Sequence, residues 1–163
     1  MVRKIAFAAA LGAALAFAAG AASAADLSLD VAGGVAKPLH LSADQLKSIA
    51  PVTVDVTFHT GHGDEKGSFT GASLWTLLQQ AGLSDTSGNR PDLHHSIAVI
   101  GRDDYVVLLS FGEIDPDFEG KDVILSYARD GKPNDAKDGL RLIVPGDKHG
   151  GRDVRDVVRV EVR

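Results

Sequence analysis

The sequence contains no cysteine at all. That absence excludes disulfides, thiolate metal sites, iron–sulfur clusters and cysteine nucleophiles. Positive charge is also short: 17 Lys and Arg stand against 22 Asp and Glu, for a formal charge of −5. An acidic chain of this kind is a poor partner for nucleic acid or for an anionic membrane surface. No Gly-x-Ser-x-Gly elbow and no phosphate-loop signature occurs, which removes support for hydrolase and nucleotide-binding readings. Beyond its first twenty residues the chain has no apolar run long enough to span a bilayer, which takes about 20 residues. Internal repeats and long linkers are missing too.

The one long apolar run, Ile5 to Ala19, follows Arg3 and Lys4 and precedes Ala22-Ser23-Ala24. A short basic segment, an apolar segment and a small-x-small site, in that order, define a removable export signal. The expectation is a signal peptide over residues 1–24 and one domain over 25–163, located in the periplasm or secreted, with no membrane attachment after cleavage. No Arg-Arg pair precedes the apolar run, so export unfolded is expected, without a cofactor loaded beforehand. Loss of Arg3 and Lys4 makes the remaining chain still more acidic. Its length suits a single domain with its own core, which needs no disulfide.

Hydrophobic periodicity predicts an α+β, mostly β domain. Leu27–Val31 and Leu39–Leu41 read as short strands around Gly33-Gly34. Ser42-Ala43-Asp44-Gln45 fits a capping box for a short helix to about Ile49, ended by Pro51. Val52, Val54, Val56 and Phe58 alternate with polar residues, as in a half-buried strand. His59 to Gly67 then reads as a polar, glycine-rich loop. Leu74, Leu77, Leu78 and Ala81 recur at helical spacing, with Gly82 at the C-terminal cap and Trp75 packing beside the stripe. Ile97–Ile100 and Tyr105–Ser110 read as a hairpin, Phe111–Ile114 as a helical turn, and Val123–Arg129 as a strand ending in an Asp130-Gly131 turn. Leu140–Val144 and Val157–Val162 complete the strands. His94-His95 and the acidic group Asp115, Asp117 and Glu119 read as solvated turns.

Four segments carry a resemblance to a known family. They are Phe69-Thr70-Gly71-Ala72-Ser73-Leu74-Trp75-Thr76-Leu77-Leu78; Gly101-Arg102-Asp103-Asp104-Tyr105; Val123-Ile124-Leu125-Ser126-Tyr127 with Asp130-Gly131-Lys132-Pro133; and Gly139-Leu140-Arg141-Leu142-Ile143-Val144-Pro145-Gly146 with Gly150-Gly151-Arg152-Asp153-Val154-Arg155. In this order they resemble the sulfite-oxidase-type molybdopterin-binding domain over nearly the whole predicted domain. The resemblance implies a sulfite-oxidase-like fold with mixed sheets and a few short helices. It also implies molybdopterin as cofactor and oxygen-atom transfer on substrates such as sulfite or sulfoxides. In the family a cysteine from the loop after the early strand, here after Val52–Phe58, ligates the molybdenum. This chain has none, and imidazole or hydroxyl is a poor substitute for a soft thiolate. The missing ligand argues against molybdenum itself.

Other site positions are retained in part. Arg152 and Arg155 match positions where the family holds the pterin phosphate, and His149 lies in the loop that approaches the cofactor. Tyr105 matches a substrate-facing tyrosine whose phenol could donate to an oxyanion. Asp156 replaces a family tryptophan. Independently of the resemblance, His59-x-x-His62 with Asp64 has the composition of a zinc, copper or iron site, or of a plain polar loop. Arg141 and Arg152 read equally as surface salt-bridge partners, which contribute little. Three functions follow. The foremost is a binding module for a small anionic ligand or a periplasmic protein partner. The others are a molybdenum-cofactor-dependent oxidoreductase and a His-based metal-binding protein.

Overall fold

The computed structural model describes residues 27–163. The predicted export signal at 1–24 lies outside the described residues.

Two five-stranded sheets build the domain. The first has the order β2-β1-β10-β5-β6, from β1 (Ser28–Gly33), β2 (Leu39–Ser42), β5 (Ser96–Gly101), β6 (Val106–Ser110) and β10 (Val157–Val162). It is mixed: β1 runs parallel to β10, with Asp30 beside Arg159, and its other pairs are antiparallel. The second sheet has the order β3-β4-β7-β8, with β9 on β7, from β3 (Pro51–Thr60), β4 (Gly63–Ser73), β7 (Ile124–Arg129), β8 (Lys132–Pro133) and β9 (Arg141–Ile143). Its strand pairs are antiparallel. Three short helices connect them: α1 (Ala43–Ser48), α2 (Leu74–Ala81) and α3 (Phe111–Ile114).

Local chemistry accounts for the element ends. Ser42 and Gln45 form the expected capping box, with the Ser42 N–H donating to Gln45 Oε1 at 2.9 Å. Ser73 caps α2, and the Gly82 N–H closes its other end on Leu78. Ser110 and Glu113 form a second capping box on α3. At the β7–β8 turn Asp130 and Gly131 both have positive φ, 50° and 74°, the pattern of a two-residue hairpin turn.

One apolar cluster draws on both sheets and all three helices, with Leu29, Leu46, Leu77, Ile97, Ile114, Leu125 and Val160 among its buried members. A smaller cluster lies on the other face of the second sheet and holds Val54, Val56, Phe58, Phe69, Ile124 and Ile143. Alternation along β7 therefore sends Ile124 to one core and Leu125 to the other. At the outer edge of the first sheet, β6 buries Val107 and Leu109 but leaves Val106 and Leu108 exposed.

Three local readings of the sequence are corrected. The polar stretch after Phe58 is a long two-stranded hairpin, because β3 and β4 stay paired from Pro51–Ala72 to Thr60–Gly63 around a tight Gly61-His62 turn. Asp115 is buried, paired with Arg90, which also reaches Asp92 at 2.8 Å and stands 4.5 Å over the Phe118 ring. His95 is half-buried: its Nδ1 lies 3.3 Å from the Arg163 carbonyl, and its Nε2 is shielded from solvent without a partner.

Candidate functional site

The β3–β4 hairpin reaches past the second sheet, and the 144–155 segment folds back against its tip. The His59 N–H donates to the Lys148 carbonyl at 2.9 Å, and His59 bridges His149 in parallel fashion. Gly150 lies against the Phe58 ring so closely that a Cβ there would meet ring carbons at 3.1 Å. These contacts enclose an open depression of about 480 Å³ lined by His59, Thr60, His149, Gly151, Asp153 and Arg155, among others.

Beneath it lies a buried ionic cluster. Arg141, 1% exposed, donates through Nε to Asp153 Oδ1 at 2.6 Å and through Nη1 to Glu65 Oε1 at 2.8 Å. Glu65 accepts a further bond from Arg129 Nη1 at 2.6 Å. Arg129 and Arg141 also face the Phe69 ring, at 5.2 and 5.0 Å from its centroid. Register explains why a carboxylate sits there. Glu65 stands opposite Phe58, on the inward face of the hairpin, so its charge requires a cation from the next strands. Arg141's hydrogen bond holds the Glu65 carboxyl below its ordinary range, against the pull of burial. Asp153 behaves differently: burial pushes its carboxyl up, and Arg141 only partly offsets this.

The expected site residues take distinct places. His149 and Arg155 share the depression. The Arg155 side chain is 50% exposed, with ion pairs to Asp138 and Glu65 at 3.4 and 3.7 Å. Arg152 turns elsewhere. It makes a two-pronged pair with Asp147 at 2.8 and 2.6 Å and reaches Glu113 at 2.8 Å, so its donors are taken by carboxylates. Glu113 ends below its ordinary range: burial raises it, but the hydrogen bonds from Arg152 and the Ser110 N–H prevail. The Tyr105 hydroxyl donates to the Gly151 carbonyl at 2.6 Å, tying the β5–β6 hairpin to the loop. His59 is the next-to-last residue of β3, with Nδ1 bonded to Asp64 directly across the strand pair. His62 lies in the hairpin turn, its N–H on Thr60 Oγ1 at 3.1 Å. The ring that faces His59 is instead His149, with centroids 5.7 Å apart. Among the described residues no three His, Asp or Glu side chains converge as metal ligands.

Glu65, Asp147 and Asp153 shape the site, and no local pattern in the sequence marks them. The signal for Glu65 is its register: seven residues after Phe58 across a two-residue turn, it faces inward.

The model of the oxidoreductase molybdopterin binding domain matches residues 17–163. The chain belongs to that family. The sulfane dehydrogenase SoxCD from Paracoccus pantotrophus is similar in structure, with a TM-score of 0.70 and 20% identity over 86% of this chain. This likeness confirms a sulfite-oxidase-type fold. The chain covers 39% of that protein. Among curated proteins no significant match is found.

Family membership implies a molybdenum–pterin group, and the donor set here does not fit it. The 163-residue chain has no thiolate to offer the metal. One of the two arginines expected at the pterin phosphate, Arg152, is occupied by Asp147 and Glu113.

Proposed function

We propose that this chain is an exported binding member of the family, which takes a small anion beside His149 and Arg155 and does not use molybdenum. The observation that carries the reading is Arg155. Its side chain is half-exposed over the depression, its ion pairs are long, and an imidazole stands on the same wall. A planar guanidinium with free donors suits a phosphate or sulfate-like group. The export half of the reading rests on the order Arg3-Lys4, apolar run, Ala22-Ser23-Ala24.

Calorimetric titration with pyrophosphate in chelator-treated buffer tests the anion site. Arg155→Ala is expected to weaken binding about tenfold, the equivalent of about 1.4 kcal/mol. Arg152→Ala is expected to leave affinity within about twofold, since Arg152 serves the loop. Equal binding by wild type and Arg155→Ala would sink the reading. About one molybdenum per chain, after expression in a host that makes the cofactor, would overturn the other half. For export, N-terminal sequencing of secreted or periplasmic protein is expected to begin at Ala25 or Asp26, and an intact Met1 in a membrane fraction would contradict it.

A further inference from the structure

We propose that His59 and His149 together form a surface site for a single Cu(II)-class transition-metal ion, with Asp64 as the residue that positions His59. The pairing differs from the His59–His62 spacing visible in the sequence and depends on the fold alone. It shares His149 and the depression with the anion reading but not Arg155, on which that reading turns.

The two rings stand 5.7 Å apart between centroids, tilted by 46°. A metal–imidazole bond of about 2.0 Å, with roughly 1.1 Å more from nitrogen to ring centre on each side, separates two rings on one ion by about 4.4 Å at a right angle and about 6.2 Å when opposite. The observed spacing falls within that reach. Both residues are exposed, so neither ring is in place to fill a core. Their backbones are held together by the His59–Lys148 hydrogen bond and the His59–His149 bridge, and Gly150 is pressed on the Phe58 ring. The two backbones are thus held side by side, so the ligands need not be gathered from separate parts of the surface.

Asp64 supplies the chemistry that selects a nitrogen. It bonds His59 Nδ1, the arrangement in which Nδ1 carries the proton and Nε2 keeps its lone pair for a metal. A carboxylate behind a ligating imidazole is a common support, and removing it typically lowers affinity by about 10- to 100-fold. His149 has no side-chain hydrogen bond among the described residues, so either of its nitrogens is available. Two imidazoles do not complete the closed four-ligand shell of structural zinc. They suit Cu(II), which heads the affinity order for nitrogen sites and fills its remaining tetragonal positions with water or another oxygen ligand.

The test is titration of chelator-dialysed protein with Cu(II) alone, read by calorimetry and electron paramagnetic resonance. Wild type is expected to bind one equivalent with nitrogen coupling from two imidazoles. His59→Ala and His149→Ala each lower affinity at least tenfold and remove one coupled nitrogen. Asp64→Asn lowers affinity about tenfold but keeps both nitrogens, the mark of a positioning residue. His62→Ala leaves binding unchanged, and Arg155→Ala keeps both coupled nitrogens, which separates this site from the anion reading. Unchanged binding in the His59 and His149 variants, or loss of binding in His62→Ala, overturns the proposal. All the side chains altered are exposed or half-exposed, and circular dichroism confirms that each variant is folded.

Discussion

Arg141→Met is expected to lower stability by about 3–5 kcal/mol, measured as a shift in the urea unfolding midpoint. Methionine fills much of the volume, so the loss is not mainly one of packing. It arises because Asp153 and Glu65 remain as carboxylates with side chains only 8% and 15% exposed and without their principal cation. The Phe69 ring also loses one of the two guanidinium groups over it. Adding Asp153→Asn is expected to recover part of the loss, because one stranded charge is then neutral. The pH dependence follows in sign. In the wild type, Glu65's lowered value gives stability that is present above the ordinary carboxylate range and lost as pH falls through the lowered value. Asp153's raised value acts oppositely. Without Arg141 both carboxyls move upward, so the deficit of the variant is expected to narrow from pH 7 to about pH 5. A single variant within about 1 kcal/mol of wild type would show that the cluster is not a strut of the fold.

Gly71→Ala is expected to cost at least about 3 kcal/mol, and the expectation is steric rather than electrostatic. A Cβ at Gly71 would lie 2.2 Å from the Leu125 carbonyl oxygen and 2.5 Å from the Ser126 Cα. Both are backbone atoms of the partner strand, so no side chain can swing aside. The β4–β7 register shifts between Thr70 and Gly71, and the close approach belongs to that irregularity. The second sheet must part there to admit a methyl group. Gly61→Ala is the control, since a Cβ at Gly61 meets nothing within 4 Å. It is expected to change stability by less than about 0.5 kcal/mol. Thermal or urea unfolding of the two variants side by side decides the matter, and similar values for both would refute the steric account.

Much of this architecture was legible in the sequence because its signals are local. Val54, Val56 and Phe58 alternate, Leu74, Leu77 and Leu78 recur at helical spacing, and Ser42 with Gln45 or Asp130 with Gly131 mark element ends within a few residues. The β3–β4 hairpin was hidden by the same logic. Its outer half carries Gly61, Gly63 and Gly67 among charged residues, and the inward-facing charged side chain there is Glu65, which reads as solvent-facing. The residue that justifies Glu65 lies on another strand: Arg141, set between Leu140 and Leu142 in an apolar run. The candidate site was partly visible for the same reason. His149 and Arg155 are near in sequence and do share a wall. Arg152, between them, is drawn aside by Glu113, 39 residues away, which no local pattern announces.

The place of β10 in the first sheet bears on how this chain reaches its final form. β10 lies between β1 and β5, so strands from the start and the middle of the domain are joined through its C-terminal segment. Until Val157–Val162 has been synthesised, β1 lacks its parallel neighbour and the main core stays open on that side. Closing a connection as long as that between Asp30 and Arg159 is also slow, because chain entropy is lost before the pairing rewards it. Completion of the first sheet is therefore expected to wait for this long-range pairing.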